Sequence, residues 1–293
     1  MTESETSDLK IGLIGFGEVG STLTRGWREA NPALAVAAFD VAWSEKRRSQ
    51  ANDLGVQFAS SLSELVGQSS MVICAVVPQA ARDAAAQVAP FLGSGHLYVD
   101  LTSSGPAKAC EVAALVGARG ARFAKLALMG AVASFGYRVP CVASGPGARA
   151  LADHLVPLGM KVEVLNDDPG AAATLKLCRS LFMKGYVALA VETLRVARKN
   201  GVQDEVVASL ADTWETEGFQ PALKRLVCSS VTHASRRAAE LDEAIESFQE
   251  LGFGLPVARA SRQVFEELIA LQSSEPFKEE SPKDIEAVLK ALP

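Results

Sequence analysis

The sequence is poor in cysteine and histidine, and it carries no excess of basic residues. It has five cysteines and three histidines among 293 residues, with a formal net charge of −5 at pH 7. The cysteines are scattered, at Cys74, Cys110, Cys141, Cys178 and Cys228. Their odd number and wide spacing favour reduced thiols over a disulfide framework or a zinc site. The acidic balance argues against nucleic acid or an anionic membrane as a partner.

The sequence also lacks a long apolar run and a basic leader. No uninterrupted apolar stretch reaches the length needed to span a bilayer, and residues 1–8 are polar and acidic. Hydrophobic residues make up 48% of the chain, which is ample for a packed interior. We therefore expect a soluble cytoplasmic protein with one large domain or two ordinary ones.

A glycine-rich turn near the beginning of the chain predicts nucleotide binding. The apolar run Ile11–Ile14 is typical of a buried parallel strand, and residues 18–30 suit a helix. Between them, glycines in the order G-x-G-x-x-G allow a tight turn, approach of backbone to a pyrophosphate, and close helix packing. The predicted phosphate-binding residues are Gly15, Phe16, Gly17, Glu18, Val19 and Gly20. The alternative is a glycine turn in some other doubly wound sheet.

An acidic residue follows the second predicted strand. The strand Leu34–Phe39 is followed by Asp40, which is placed to accept hydrogen bonds from the ribose hydroxyls of an adenine nucleotide. A carboxylate there repels a 2′-phosphate, so NAD is the expected cofactor. NADP is the alternative, because the nearby Lys46, Arg47 and Arg48 could bind that phosphate.

Strand and helix patterns alternate up to about residue 165, and only helical patterns follow. Strands are predicted at 11–14, 34–39, 56–59, 71–77, 96–100, 123–128, 140–144 and 161–165. The later helices are predicted at 170–200, 204–215, 221–251, 255–271 and 282–292. The expected fold is an α/β Rossmann-type doubly wound parallel sheet (residues 1–168) followed by an all-α C-terminal domain (residues 169–293).

Three hydroxyl residues follow the fifth predicted strand. Thr102, Ser103 and Ser104 come after Asp100, at the end of a strand where open α/β sheets bind ligands. They could equally cap the helix that begins at Pro106. The sequence leaves both interpretations open, and they are compatible.

One later helix combines an apolar surface with a row of polar residues. Residues 170–191 are almost all apolar or small, so this helix is predicted to be buried on every side. Lys176, Arg179, Ser180 and Lys184 share one face. Burial and nearby cations lower a lysine pKa, which makes Lys176 a candidate base. The alternative is a polar seam paired with acids such as Glu192 or with a partner subunit.

Four blocks in order resemble the β-hydroxyacid dehydrogenase family, which includes 3-hydroxyisobutyrate and 6-phosphogluconate dehydrogenases. They are GFGEVG, the strand ending in Val77-Pro78, DLTSSGP, and GAAATLK, and together they span nearly the whole chain. The third is similar to the family's D-x-S-T-x-x-P block and the fourth to its lysine helix. The resemblance implies that Lys176 is the catalytic lysine, that Val77 and Pro78 contact the cofactor, and that Thr102 or Ser103 lies beside the nicotinamide.

The sequence departs from the family at two places. The family's S-G-G motif for a substrate carboxylate is replaced by Met129-Gly130-Ala131, and its asparagine after the lysine is replaced by Ser180. Ser180 would then hold the lysine or the substrate oxygen, and Ser103 and Arg179 would contact the substrate. The segments LCRSLFMKG and HASRRAAE, residues 233–240, resemble a poorly characterised branch of the family.

The segment at residues 233–240 offers a second anion site. His233, Arg236, Arg237 and Glu240 are spaced to share one helix face, and His233 and Arg237 could supply the missing carboxylate contact. The alternative is a solvated, ion-paired edge.

The resemblance implies an NAD(P)-dependent oxidoreductase that transfers hydride between the nicotinamide and a hydroxyl-bearing small molecule. One alternative is an NAD-bound lyase that releases carbon dioxide or an aldehyde, with or without net redox change. Another is a nucleotide-binding sensor without catalysis, suggested by the missing asparagine. We also expect a homodimer through the helical domain, because helix 170–200 has more apolar surface than a small domain can cover. No metal site is expected.

Overall fold

The computed structural model describes residues 9–274, 277 and 280–292. The chain divides into two compact units, residues 1–180 and 181–293. The division falls inside a helix that runs from Ala171 to Lys199. A domain boundary at residues 168–169 lies in the loop before this helix and stays a prediction.

The first unit is built on an eight-stranded sheet in the order β3-β2-β1-β4-β5-β6-β7-β8. The strands are β1 (Lys10–Ile14), β2 (Ala35–Phe39), β3 (Gln57–Phe58), β4 (Met71–Cys74), β5 (Leu97–Asp100), β6 (Arg122–Leu128), β7 (Pro140–Ser144) and β8 (Lys161–Val164). The strand order reverses direction between β1 and β4, the position at which doubly wound sheets bind nucleotides. The predicted Rossmann-type sheet is confirmed.

The sequence predicts a parallel sheet, but the observed sheet is not parallel throughout. β6 and β7 are antiparallel, and β8 runs parallel to β7. Only residues 129–139 connect β6 to β7, whereas a parallel crossover needs about a dozen or more residues, usually with a full helix. Consequently the beginning of β7 lies beside the end of β6, with Cys141 opposite Leu128.

Helices cover both faces of the sheet. In the first unit they are α1 (Glu18–Ala30), α2 (Glu45–Asp53), α3 (Leu62–Gly67), α4 (Ala81–Val88), α5 (Pro106–Gly117), α6 (Val132–Phe135), α7 (Ala148–Leu155) and the first part of α8 (Ala171–Lys199). Alternate residues of each central strand pack into two separate apolar clusters, so both faces are buried. Leu13 and Ile73 belong to one cluster, and Ile14 and Val72 belong to the other.

The fourth strand is shorter than predicted. β4 ends at Cys74 rather than at residue 77, because its neighbour β1 ends at Ile14. The last backbone hydrogen bond between them runs from the Ala75 N–H to the Ile14 carbonyl, at 2.8 Å. Val77 is therefore outside the sheet, with 64% of its surface exposed.

The second unit contains helices and no strand among its described residues. Besides the end of α8, its helices are α9 (Gln203–Glu215), α10 (Phe219–Thr232), α11 (Ala234–Glu250), α12 (Pro256–Gln272) and α13 (Ile285–Ala291). None of the described helices is both long and apolar enough to cross a membrane.

The single helix predicted at residues 221–251 is wrong, since the chain breaks at His233 into α10 and α11. The side chain of Gln272 bonds the backbone groups that a continuous helix would pair internally. It donates to the Thr232 carbonyl at 2.8 Å and accepts from the Ser235 N–H at 3.1 Å. Because His233 has non-helical backbone angles, it does not share a helix face with Arg236.

The helix predicted at residues 170–200 is present as α8, but it is not buried on every side. Its buried residues lie near its two ends, at Ala172, Ala173, Val196 and Ala197. Several large apolar side chains between them are exposed, including Leu181 at 77% and Val187 at 55%. The apolar pattern identified the helix correctly but overstated how much of it this chain covers by itself.

Candidate active site

The glycine turn after β1 has the geometry of a phosphate-binding loop. Gly15 has a φ of +93°, and a Cβ there would approach the Ala75 carbonyl oxygen to 3.0 Å. A Cβ on Gly20 would approach the Gly15 carbonyl oxygen to 3.1 Å, which shows how closely α1 packs on the turn. Gly17 precedes α1, and no atom of the described residues lies within 4 Å of the position of a Cβ there. The N-terminal end of α1 is thus open to a ligand.

A cavity of about 300 Å³ adjoins this turn. It is lined by Ile14, Gly15, Gly17, Phe39, Asp40, Val41, Arg47, Ala75, Val76, Val77 and Ala80. The Asp40 carboxylate accepts hydrogen bonds from the N–H groups of Phe16 and Ala42, both at 2.8 Å. An open helix terminus beside a glycine cradle and a fixed carboxylate fits the phosphates and ribose of a dinucleotide. Pro78 begins a short 3₁₀ turn immediately after Val77, and its carbonyl accepts from Lys108.

A basic cavity lies next to Asp40. It measures about 570 Å³ and is lined by Gly17, Glu18, Ser21, Thr22, Arg25, Ser44, Lys46, Arg47 and Gln50. A guanidinium nitrogen of Arg47 is 3.6 Å from the Asp40 carboxylate. Arg48, in contrast, lies over the ring of Trp43. Lys46, Arg47 and Arg48 were the reason for keeping NADP as an alternative cofactor. Of these three, Lys46 and Arg47 line this cavity.

The hydroxyl residues after β5 do not cap the following helix, so that interpretation is wrong. Gly105 precedes α5, and no side chain caps the helix there. Thr102 and Ser104 are buried, and their hydroxyls lie 3.0 Å apart. The Thr102 N–H and the Ser104 hydroxyl both donate to the Asp100 carboxylate, at 2.9 and 3.1 Å. These side chains instead build a polar cluster below the loop.

Lys125 completes this cluster, although it is not among the site residues predicted from the sequence. It lies opposite Asp100 in the register of β5 and β6, and its ammonium is 2.7 Å from the Asp100 carboxylate. Both side chains are only 1% exposed. Burial lowers the pKa of Lys125, while the Asp100 charge opposes that shift. One signal was available: a lysine within the apolar strand FAKLAL has to find a partner when it is buried.

Ser103 differs from its two neighbours because its side chain is exposed. Its hydroxyl accepts a hydrogen bond from the Lys176 ammonium on α8, at 2.9 Å. The structure thus brings together two residues that are far apart in the sequence, both of which were predicted to lie at the site. The substrate role of Ser103 and the cofactor role of Thr102 stay predictions.

Lys176 is partly buried, and its surroundings lower its pKa from the ordinary lysine value. Burial lowers the pKa of Lys176, and the positive charge of Lys125 lowers it further. Cys141 and Asp100 oppose these effects. Burial also raises the pKa of the Cys141 thiol to about 12, so this neighbour stays protonated near neutral pH.

The remaining predicted catalytic and substrate residues of the first unit fall into two groups. Ser180 and Arg179 follow Lys176 on α8, with Arg179 exposed. Met129, Gly130 and Ala131 directly follow β6. The Met129 N–H donates to the Pro140 carbonyl at 2.8 Å, whereas no described residue accepts from the N–H of Gly130 or Ala131.

His233 and Arg237 belong to the second unit. Arg237 donates to the hydroxyls of Ser229 and Ser230, which ties α11 to α10. Arg236 forms an ion pair with Glu240. These contacts match the ion-paired alternative for this segment, and the anion-binding role of His233 and Arg237 stays a prediction. Among the described residues no group of acidic, cysteine or histidine side chains could hold a metal ion.

Two family models match the chain. Residues 10–137 match the NAD binding domain of 6-phosphogluconate dehydrogenase, and residues 197–268 match a domain of unknown function, DUF1932. An uncharacterised 28.5 kDa protein encoded in the 7S RNA 5′ region of Methanothermus fervidus is 32% identical over 240 residues. That alignment covers 82% of this chain and 90% of the relative.

Solved structures resemble the fold over most of its length. The conserved protein MTH1747, of unknown function and described as similar to 3-hydroxyacid dehydrogenases, is 28% identical with a TM-score of 0.64. The match covers 90% of this chain and 98% of that one. A variant imine reductase from Myxococcus stipitatus in complex with NAD⁺ is 20% identical, with a TM-score of 0.79 and coverage of 97% and 99%. At 20% identity, the similarity to the imine reductase concerns the fold alone.

Proposed function

The chain belongs to the β-hydroxyacid dehydrogenase-like family of NAD(P)-dependent oxidoreductases, and we propose that it transfers hydride to and from a hydroxyl-bearing substrate with Lys176 as general acid and base. The contact between Lys176 and Ser103 carries this proposal. It holds a partly buried amine, with a pKa below the ordinary lysine value, next to the loop at the end of β5. Ligands of open α/β sheets bind at that edge.

The glycine turn and Asp40 define how the cofactor would bind. The open N–H groups at the beginning of α1 would hold the pyrophosphate, and the Asp40 carboxylate would accept hydrogen bonds from the ribose. The same carboxylate makes NAD the proposed cofactor over NADP, although Arg47 lies 3.6 Å from it. When bound, the nicotinamide supplies the hydride acceptor for oxidation and the hydride donor for reduction.

The chain's own residues would move the proton. In alcohol oxidation, neutral Lys176 accepts the hydroxyl proton of the substrate, and in reduction the lysinium returns it. Ser103 holds the amine in place from 2.9 Å. Ser180, one turn further along α8, would orient the lysine or the substrate oxygen. A hydroxyl offers one donor where the family's asparagine offers two.

The backbone after β6 would bind the acidic end of the substrate. The N–H groups of Gly130 and Ala131 have no acceptor among the described residues. A Cβ on Gly130 would lie 3.0 Å from the ring of Phe135, so a larger residue there would require this exposed ring to shift. Two backbone donors suit one carboxylate oxygen, which favours a hydroxy acid over a neutral alcohol.

We also propose that the active protein is a homodimer paired through α8. Between the buried ends of this helix, Leu181, Val187 and Val191 are each more than half exposed. Large apolar side chains exposed along one helix are typical of a protein–protein contact. A second copy offers the same face for an isologous contact.

The experiment is a turnover assay that follows the absorbance of reduced nicotinamide. Purified protein is given NAD⁺ or NADP⁺ with a panel of 3-hydroxy acids and other alcohols, and the reduced cofactor with the matching carbonyl compounds and one cyclic imine. We expect turnover on at least one hydroxy acid. Gly15→Ala is the matched control, because an alanine there is strained at φ +93° and would disrupt the phosphate loop.

The alternatives predict different results in the same assay. A redox-neutral lyase would consume substrate only with bound nucleotide, without net formation of reduced cofactor. A sensor would bind nucleotide and turn over nothing on the panel. Either result would contradict hydride transfer as the net reaction.

A further inference from the structure

The buried pair Asp100–Lys125 has no role in the proposed chemistry, yet all of its hydrogen-bonding groups have partners. The Lys125 ammonium has three N–H donors and three acceptors within reach: the Asp100 carboxylate at 2.7 Å, the Thr102 carbonyl at 2.8 Å and the Ser104 hydroxyl at 3.1 Å. Asp100 in turn accepts from the Thr102 N–H and the Ser104 hydroxyl. Every charged atom of the pair is satisfied within one loop and two strands.

Stability alone does not explain such a pair. Two well-packed apolar side chains at the same positions would often hold a sheet as well or better, because both charges have to be desolvated. The adjoining strand positions are apolar, so the ion pair interrupts an otherwise apolar core. The pair therefore needs an explanation other than stability, and its contacts with the loop after β5 provide one.

The acceptors of Lys125 lie on either side of Ser103. One is the backbone of Thr102 and the other is the side chain of Ser104. Fixing both neighbours of Ser103 fixes the backbone there and with it the direction of the Cα–Cβ bond of Ser103, which is the exposed member of the three. We propose that Lys125 is a positioning residue, which locks the loop after β5 so that the Ser103 hydroxyl faces Lys176. This inference rests on the proposed function only in taking Lys176 as the reacting amine.

The same arrangement places a second cation near Lys176. The titratable groups that face Lys176 come from three neighbouring strands: Asp100 on β5, Lys125 on β6 and Cys141 on β7. Of these, Lys125 lowers the pKa of Lys176, and the other two raise it. Removing Lys125 should therefore make Lys176 harder to deprotonate and disturb the position of Ser103 at the same time.

The test measures Lys176 directly, without a substrate. Competitive acetylation with acetic anhydride across a range from about pH 6 to about pH 11, followed by mass spectrometry of the Lys176 peptide, reports the amine's titration midpoint and reactivity. Lys125→Met removes the charge and the three donors at nearly constant volume. Because it leaves Asp100 unpaired, the double variant Asp100→Asn/Lys125→Met is made in parallel to preserve folding. Lys161→Met removes a cation from the exposed beginning of β8 as the matched control.

The proposal predicts that both variants move the Lys176 midpoint to higher pH, and that Lys161→Met leaves it unchanged. The midpoint should rise less in the double variant, since the opposing Asp100 charge is removed as well. Ser103→Ala should change the Lys176 labelling rate in the wild-type background and have little effect in the Lys125→Met background. Lys125 and Ser103 share no direct hydrogen bond, so this loss of additivity reports positioning through the loop.

The proposal would be overturned by a folded double variant in which the Lys176 midpoint is unchanged and Ser103→Ala alters the Lys176 labelling rate as much as it does in the wild type. Thermal unfolding of each variant separates a loss of structure from a loss of positioning. The labelling does not depend on turnover. If Lys176→Met keeps its activity, the proposed chemistry fails. The labelling experiment would still measure the coupling between Lys125 and Lys176, so the two proposals can fail independently.

Discussion

Replacing Lys176 with methionine keeps the length and apolar stem of the side chain and removes the amine. In the structure the change costs one hydrogen bond, to the exposed Ser103 hydroxyl. Such a bond contributes about 0.5–1.5 kcal/mol to stability. Against a typical total of roughly 5–15 kcal/mol, the variant should stay folded. Nucleotide affinity should also be retained, because the glycine turn and Asp40 make no contact with Lys176.

The effect on turnover should be much larger. A positioned general acid and base contributes about 10²–10⁴-fold to the rate, which corresponds to about 2.7–5.4 kcal/mol in the barrier. Lys176→Arg should lose nearly as much, since a guanidinium cannot release its proton near neutral pH. Ser180→Ala should lose less, because it would only loosen the orientation of the reacting groups.

The assay is the initial rate of reduced-nicotinamide formation with the best substrate of the panel, at saturating cofactor. Thermal unfolding and a nucleotide titration accompany each variant. Lys161→Met, which removes a surface cation at the beginning of β8, controls for the change in net charge. Near-normal turnover by Lys176→Met with intact nucleotide binding would show that the lysine is structural, and it would refute the mechanism.

Three further results are expected. NAD should bind at least about tenfold (~1.4 kcal/mol) more tightly than NADP, and Asp40→Ser should reduce that preference; tighter NADP binding by the wild type would instead assign the basic cavity around Lys46 and Arg47 to the 2′-phosphate. In alcohol oxidation kcat/KM should rise with pH through the pKa of Lys176, which burial places below its ordinary value. In reduction kcat/KM should fall over the same pH range. Profiles that change in the same direction for both reactions would contradict acid–base catalysis by one group. Sedimentation should show a dimer at micromolar concentration, and Leu181→Glu should weaken it; a fully active monomer would contradict pairing through α8.

Features that depend on neighbouring residues were predictable from the sequence. The glycine turn could be predicted because its requirements are largely local: Gly15 has a φ of +93°, and a Cβ on Gly20 would approach the Gly15 carbonyl oxygen to 3.1 Å. Asp40 could be predicted because it directly follows β2, and the end of a strand lies at the edge of the sheet. Lys176 stood out as a cation in an apolar helix, and burial does lower its pKa.

Features that depend on distant residues were not predictable. The break at His233 depends on Gln272, which lies on another helix and bonds the free backbone groups. The exposed middle of α8 shows a related limit. An apolar face indicates that something should cover it, but the pattern is the same whether the cover comes from this chain or from a second copy.

The loop after β5 combines both kinds of information. The sequence DLTSSGP offers three hydroxyls and does not determine which of them faces a ligand. That choice depends on Lys125, which reaches the loop only because β5 and β6 pair in register at Asp100. Since an unpaired buried charge costs about 3–5 kcal/mol, neither member of the pair can be replaced by an apolar residue without the other. A related chain that is apolar at the position of Lys125 should therefore also lack the charge at the position of Asp100, and it would need another way to turn Ser103 toward the lysine.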